Sequence, residues 1–155
     1  MADEAPDLRT FIDLSVVLTG FSEVELLGTG MAALYYGTVR GAVGEGVMGD
    51  LLATFRAVSH GGGDLETAMR TRILGDPRLG QVARNLITLW YVGNWYEMSQ
   101  LWRDAYGISP SDVTRVVSAE SYQQGLMWAA GETHPQGAHQ PGFGTWALPP
   151  ARSSS

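Results

Sequence analysis

The stretch LITLWYVGNWYEMSQLW, residues 86 to 102, constrains the fold of this chain more than any other. Its seventeen residues carry one charge, Glu97, and include three tryptophans and two tyrosines. So much apolar surface is normally covered by lipid, by the protein's own core or by another protein. A membrane span needs about twenty predominantly apolar residues, and Asn94, Glu97 and Gln100 interrupt this stretch. The sequence therefore favours a core or a partner surface over a direct membrane span.

Apolar residues recur at helical spacing along most of the chain. The periodic segments are bounded by residues that commonly begin or end helices, namely Gly20, Ser22, Asp64, Asp76 and Ser118. The predicted helices cover 7–19, a glycine-weakened segment from 22, 47–60, 65–74, a helix from Pro77 that Gly93 ends or kinks, and a last helix after Ser118. Residues 106–118 are predicted to be irregular. The pattern predicts an all-α fold with a single small helical domain of five to six helices.

The chain changes character at His134. Residues 134–150 contain four prolines and three glycines, which excludes a regular helix, yet they also carry Phe143, Trp146 and Leu148. A disordered tail is normally depleted in such apolar residues. We therefore expect two parts: a helical domain in residues 1–133, and an extended C-terminal tail, residues 134–155, that packs on the domain and on a partner.

Composition excludes several functional classes. The formal net charge of −6 argues against nucleic-acid binding, which depends on basic surface. The chain has no cysteine, so disulfides, thiolate catalysis and iron–sulfur clusters are excluded. Charged residues make up only 17% of the chain, less than the usual quarter. A chain with so little polar surface favours a face that is covered by a partner.

No residue pattern indicates catalysis. The three histidines are His60, His134 and His139. A zinc site would need more ligands at a defined geometry, and cysteine is absent, so the sequence favours two exposed loop histidines at 134 and 139 over a metal site. The sequence lacks a Gly-x-Ser-x-Gly nucleophile motif. Its glycine-rich segments lack the strand-before, helix-after context of a phosphate-binding loop. We therefore expect no catalytic, cofactor-binding or metal-binding residue in this chain.

The aromatic stretch leaves two interpretations open. One helix of a small bundle can bury Leu86, Leu89 and Trp90 on one face. If the helix continued through residue 102, Tyr91, Trp95 and other aromatic residues would lie around its remaining sides, and a small domain seldom buries every side of a helix. Core packing and a partner surface are equally compatible with this periodicity.

Four stretches resemble one known family. They are FIDLSVVLTG (11–20), the apolar helix that ends in Trp90-Tyr91-Val92-Gly93, Tyr122-x-x-Gly125-Leu126-Met127-Trp128, and QPGFGTWALPP (140–150). In this order they resemble the small subunit of bacterial FAD-dependent sugar and polyol dehydrogenases, the sorbitol, fructose and glucose dehydrogenase complexes. The resemblance extends from about residue 8 to residue 150.

The resemblance implies a non-catalytic subunit. In that family the small subunit binds a large catalytic subunit of the glucose–methanol–choline type, which holds FAD, and assists its folding and stability. Electrons leave through a cytochrome c subunit or an artificial acceptor. The partner interface that we predict on this basis comprises Trp90, Tyr91, Trp95, Tyr122, Met127, Trp128, Phe143, Trp146, Pro149 and Pro150.

The chain departs from the family pattern at its N-terminus and in its tail, where it also lacks the cysteine that relatives often carry near the Pro-Gly motif. Its first ten residues, MADEAPDLRT, are not the twin-arginine leader that family members usually carry. Gly144 and Thr145 separate Phe143 from Trp146, whereas relatives place the aromatic residue directly after Pro-Gly-Phe. We expect a periplasmic complex whose leader is absent or removed, with a cytoplasmic location as the alternative.

Two rival functions remain open from the sequence. One is a stand-alone helical domain that binds an apolar small ligand in an aromatic-lined pocket. The other is a self-contained enzyme that uses His60 or His134.

Overall fold

The computed structural model describes residues 4–126. Eight α-helices and a pair of two-residue strands occur within this range, and a short π-helix directly continues one of the α-helices. The helices are α1 (Glu4–Thr19), α2 (Glu23–Gly28), α3 (Ala32–Val43), α4 (Glu45–His60), α5 (Leu65–Met69) with the π-helix Arg70–Leu74, α6 (Leu79–Val92), α7 (Gln100–Tyr106) and α8 (Ala119–Gln123), and the strands are β1 (Asn94–Trp95) and β2 (Arg115–Val116).

The predicted all-α class is confirmed for residues 4–126. The chain divides into more helices than the five to six expected. The segment that begins after Ser22 splits at Thr29–Gly30, where Gly30 has a φ of +73°. The predicted boundary at residue 134 lies outside the described residues.

Local side-chain caps explain several helix starts. The Ser22 hydroxyl accepts a hydrogen bond from the Glu25 amide at 3.1 Å, and the Glu25 carboxylate accepts one from the Ser22 amide at 2.9 Å. Ser118 and Ser121 make the same reciprocal pair at the start of α8. Each pair satisfies two backbone groups at a helix end that would otherwise lack partners. The predicted caps at Ser22 and Ser118 are therefore confirmed.

The start of α6 differs from the prediction by two residues. The Asp76 carboxylate accepts hydrogen bonds from the amides of Arg78 and Leu79, both at 2.8 Å. Pro77 therefore lies in the capping turn, and the helix begins at Leu79. The cap was identified correctly, but it acts over the turn that precedes the first helical residue.

The core lies among the four longest helices. Helix α1 packs against α3, α4 and α6, and α3 also contacts α4 and α6. Each of these helices contributes fully buried apolar side chains, because its apolar residues recur at the helical period. They include Phe11, Leu14 and Leu18 from α1, Tyr35 and Val39 from α3, Leu51 and Leu52 from α4, and Leu86 and Trp90 from α6. We call residues 4–93 the helical body.

Residues 94–126, which we call the distal region, contain little regular structure. Asn94 pairs with Val116 and Trp95 with Arg115 in the antiparallel β1–β2 ladder. Two short helices, α7 and α8, precede and follow strand β2 in sequence. Within residues 4–126, no helix combines the length and the hydropathy needed to cross a bilayer.

Candidate functional site

Trp90 is part of the core of the helical body. Its ring is fully buried and meets the Tyr35 ring edge to face, with 4.8 Å between ring centroids. The indole N–H donates to the Ser15 hydroxyl at 2.9 Å, which satisfies the only polar group of the side chain. The ring therefore closes the contact between α1, α3 and α6.

Gly93 ends the helix that carries Trp90. Its φ of +77° lies in the left-handed region that glycine adopts without steric cost. The chain then continues as β1 instead of as a helix, so the helical period of 3.6 residues does not apply beyond this point. Because the helix ends at Gly93, the aromatic residues of 86–102 do not lie around the sides of one long helix, as they would if the helix continued through residue 102.

Trp95 is buried at the centre of the distal region. Its indole N–H donates to the Asp112 carboxylate at 2.8 Å, and the Met98 amide donates to the same carboxylate at 3.1 Å. The Arg103 guanidinium lies 3.7 Å from the other carboxylate oxygen. Asp112 is almost fully buried. One carboxylate therefore joins β1, α7 and the loop before β2, and we call this group the Asp112 cluster.

Trp102 is also buried in this chain. Its indole N–H donates to the Arg78 carbonyl oxygen at 2.9 Å, which links α7 to the turn before α6. The Tyr106 ring lies 5.2 Å from it, centroid to centroid. All three indole rings of the stretch 86–102 thus find their partners within one chain.

The structure places two of the predicted interface residues, Trp90 and Trp95, inside the chain. Neither ring has exposed surface in the chain alone. The physical reason is the helix break at Gly93, which turns Trp95 inward. Tyr91 is half-buried, and its hydroxyl donates to the Thr19 carbonyl oxygen at 3.2 Å.

The end of α6 is the point where the distal region joins the helical body. The Gly93 carbonyl oxygen accepts hydrogen bonds from the Val117 amide at 3.1 Å and from the Ser121 hydroxyl at 2.9 Å. A Cβ atom at Gly93 would overlap the Ser121 carbonyl oxygen, and one at Gly125 would overlap the Tyr91 carbonyl oxygen. Two glycines therefore permit the backbones of α6 and of residues 121–125 to lie in direct contact.

Three of the stretches that carry the family resemblance meet at this junction. Residues 11–20 contact the end of α6 through Ser15 and Thr19. Residues 121–125 contact it through the two glycines, Gly93 and Gly125. The fourth stretch, 140–150, lies outside the described residues, as do the predicted interface residues Met127, Trp128, Phe143, Trp146, Pro149 and Pro150.

Exposed large apolar side chains are concentrated in the distal region. Of the eleven in residues 4–126, four belong to the helical body: Val24, Leu27, Leu34 and Leu65. The other seven lie within 33 residues of chain: Tyr96, Leu101, Tyr106, Ile108, Val113, Val116 and Tyr122. Leu101 is 83% exposed and Tyr122, a predicted interface residue, is 55% exposed. The candidate site is therefore the surface of the distal region, a part of the chain that periodicity did not identify.

An open polar groove of about 410 Å³ lies between α4, the π-helix and the start of α6. Arg78 and Asp50 form an ion pair at 2.7 Å within it. Its other lining residues are Ala53, Thr54, Thr71, Arg72, Asp76 and Leu79, none of which is aromatic. This groove does not match the aromatic-lined pocket of the apolar-ligand hypothesis.

Ionisable groups show no catalytic arrangement in the described part of the chain. His60 is exposed at the last residue of α4, and His134 and His139 lie outside the described range. No group of three or more His, Asp or Glu side chains within residues 4–126 is placed to hold a metal ion. Burial raises the pKa of Tyr35 to about 12, against a smaller opposing effect of the Ser121 hydroxyl. That tyrosine is a neutral core residue at physiological pH.

The chain matches no described protein family, no curated protein and no solved structure. The similarity to dehydrogenase small subunits therefore stays a prediction that rests on the quoted motifs.

Proposed function

We propose that this chain is a non-catalytic small subunit that binds and stabilises an FAD-dependent sugar or polyol dehydrogenase of the glucose–methanol–choline type and assists its folding. The observation that carries the proposal is the concentration of exposed apolar side chains in the distal region. The motif resemblance supplies the identity of the partner. Neither argument assigns a catalytic or cofactor-binding residue to this chain.

The distal region has the composition of a binding surface. Its exposed side chains include Leu101, Tyr106 and Ile108, while Arg103 and Arg115 lie close by in sequence. Aromatic residues and arginine are enriched at protein interfaces and supply much of their binding energy. An exposed apolar surface of this kind costs free energy in water until a partner covers it.

In the proposed complex the work is divided between subunits. The large subunit holds FAD, oxidises the CH–OH group and selects the sugar or polyol. A cytochrome c subunit accepts the electrons where one is present. This chain contributes surface: it covers apolar area on the flavoprotein and lowers the free energy of the folded, flavin-loaded form, since a ligand that binds only the folded state stabilises it. We propose a periplasmic location for the complex.

Co-expression tests the proposal directly. The large subunit should be the product of a neighbouring reading frame with a dinucleotide-binding motif near its start. Expressed alone, it should be insoluble or lack FAD; expressed with this chain, it should be soluble, flavin-loaded and active with an artificial electron acceptor. Full activity of the flavoprotein without this chain would reject the proposal, and so would the absence of such a reading frame.

Paired substitutions locate the binding surface. Leu101→Arg and Ile108→Arg place charges on the distal region, whereas Leu65→Arg places one on α5 of the helical body. All three side chains are exposed, so each variant should fold. The first two should lower copurification of the flavoprotein, and the third should not. Equal copurification of all three would exclude the distal region as the interface.

A further inference from the structure

The groove between α4, the π-helix and the start of α6 has no part in the proposed function. Its volume of about 410 Å³ falls within the range of about 300–1,000 Å³ that is common for small-molecule sites. Most of its lining side chains carry a charge or a hydroxyl group. This composition favours a small polar ligand over an apolar one.

Short contacts within the chain hold the walls of the groove together. The Arg78 guanidinium donates to the Asp50 carboxylate at 2.7 Å, which joins the turn before α6 to α4. The Leu74 carbonyl oxygen, at the end of the π-helix, lies against α6 at Gly80, where a Cβ atom would overlap it. Because the chain makes these contacts by itself, a ligand does not have to order the groove when it binds.

The π-helix forms one wall of the groove. π-Helical turns are rare, and they occur frequently at functional sites. Thr71 and Arg72 of this element line the groove, while the next two residues, Ile73 and Leu74, are buried in the core. The buried pair therefore fixes the backbone from which the two lining side chains start.

The charged groups of the groove differ in what they already bind. The Asp50 carboxylate pairs with Arg78. The Asp76 carboxylate accepts hydrogen bonds from the amides of Arg78 and Leu79, both at 2.8 Å. Arg72 is exposed, and within residues 4–126 its guanidinium has neither an ion-pair partner nor a hydrogen-bond partner. Its N–H groups are therefore available to an anion.

Oxygen atoms with free lone pairs share the groove with Arg72. The Thr71 hydroxyl donates to the Thr67 carbonyl oxygen at 2.8 Å, so its own oxygen can still accept a hydrogen bond. The Asp50 side chain is 57% exposed and can accept further hydrogen bonds besides the one from Arg78. A simple anion would leave these acceptors without donors. An anion that also carries hydroxyl groups supplies them.

We propose that this groove binds a small hydroxylated carboxylate. Arg72 binds the carboxylate of the ligand through two N–H groups, the geometry that guanidinium and carboxylate groups prefer. Asp50 and Thr71 accept hydrogen bonds from the hydroxyl groups of the ligand. The site lies in the helical body, so it goes beyond the proposed function and does not depend on a flavoprotein partner.

Nuclear magnetic resonance titration of the full chain tests the proposal. Glycerate is the probe, acetate is an anion without hydroxyl groups, and glycerol has hydroxyl groups without a charge. In nitrogen–proton correlation spectra at constant ionic strength, glycerate should shift the amide signals of Thr71, Arg72 and Leu79 in a saturable way. Its dissociation constant should be about tenfold lower than that of acetate, because the hydroxyl groups add hydrogen bonds. Glycerol should cause no saturable shift.

Two arginine variants on the π-helix assign the anion site. Arg72→Gln should raise the dissociation constant of glycerate about tenfold or more, because it removes charge-assisted hydrogen bonds. Arg70→Gln is the matched control, since Arg70 bonds to Glu66 at 3.0 Å and does not line the groove. It should leave the dissociation constant unchanged. Both side chains are exposed, so both variants should fold.

Several outcomes would overturn the proposal. The absence of a saturable shift at the groove amides would exclude the ligand class. Equal binding of glycerate by the Arg72→Gln and Arg70→Gln variants would exclude Arg72 as the anion site. Equal dissociation constants for glycerate and acetate, or binding of glycerol as tight as that of glycerate, would do the same for the assigned ligand chemistry. If circular dichroism shows that Arg72→Gln is unfolded, Arg72→Lys replaces it, because lysine loses the two-pronged geometry and should also weaken binding.

Discussion

Trp90 and Trp95 are equally buried, yet the two halves of the molecule hold them differently. Trp90 belongs to the helical body, where long helices surround it with apolar side chains and one hydroxyl accepts its N–H. Trp95 belongs to the distal region, where a buried carboxylate gathers its N–H, a backbone amide and a guanidinium. The helical body depends on packing, and the distal region depends on a few polar anchors. The second region can therefore leave apolar side chains exposed without losing its shape.

The largest expected effect tests the anchor of the distal region. Asp112→Ala leaves the Trp95 N–H and the Met98 amide without their acceptor, and should cost about 3–5 kcal/mol of unfolding free energy. Asp112→Asn keeps one acceptor oxygen and should cost about 1–3 kcal/mol. Urea unfolding measures both values. Equal stability of the two variants would mean that the hydrogen bonds to the Asp112 carboxylate do not hold the distal region together.

Two leucine substitutions compare the stability contribution of a buried side chain with that of an exposed one. Leu86 is fully buried in the helical body, so Leu86→Ala should cost about 2–5 kcal/mol through lost contacts and the cavity left behind. Leu101 is 83% exposed in the distal region, and Leu101→Ala should change stability by no more than about 0.5 kcal/mol. Thermal unfolding of the isolated chain gives both values. A large loss at Leu101 would show that its surface is already covered within this chain.

Alanine substitutions at two glycines test the contact between the helical body and the distal region. Gly93 and Gly30 share a positive φ, but only at Gly93 would a Cβ atom meet backbone atoms. Gly30→Ala should cost about 1 kcal/mol for the backbone conformation alone. Gly93→Ala adds the overlap with Ser121 and should cost about 2–4 kcal/mol. In Gly93→Ala, hydrogen exchange should show reduced protection of backbone amides mainly in residues 117–125. A uniform loss of protection over the whole chain would contradict a local effect at this junction.

Sequence periodicity and local caps predicted the helical body and the start of α8 well. Ser22, Ser118 and Asp76 cap their helices through residues two or three positions away, and such contacts can be read along the chain. The Asp112 cluster joins Asp112 to residues 9 to 17 positions away in a segment without periodicity. Its formation depends on the direction that the chain takes after Gly93, and the glycine alone does not reveal that direction. For the same reason, the sequence-based prediction named only Tyr122 among the exposed large apolar side chains of the distal region.

The smallest expected effect concerns pH. Because burial raises the pKa of Tyr35 to about 12, the folded state retains this proton at pH values where the unfolded chain, with an ordinary pKa of about 10, has lost it. The resulting stability is complete below pH 10 and falls as pH rises towards 12, by about 1 kcal/mol at pH 11. Tyr35→Phe should remove this part of the alkaline loss, and Tyr106→Phe should keep it. Identical melting curves for both variants at pH 11 would contradict the assignment.

The three indole N–H groups of residues 86–102 end on three chemically different oxygens: a hydroxyl, a carboxylate and a peptide carbonyl. A nitrogen–proton correlation spectrum should therefore separate them. Each resonance would then report on one place, respectively the interior of the helix bundle, the Asp112 cluster and the seam between α6 and α7. The protein thus carries its own set of spectroscopic labels, with which docking at its surface can be followed without any added dye.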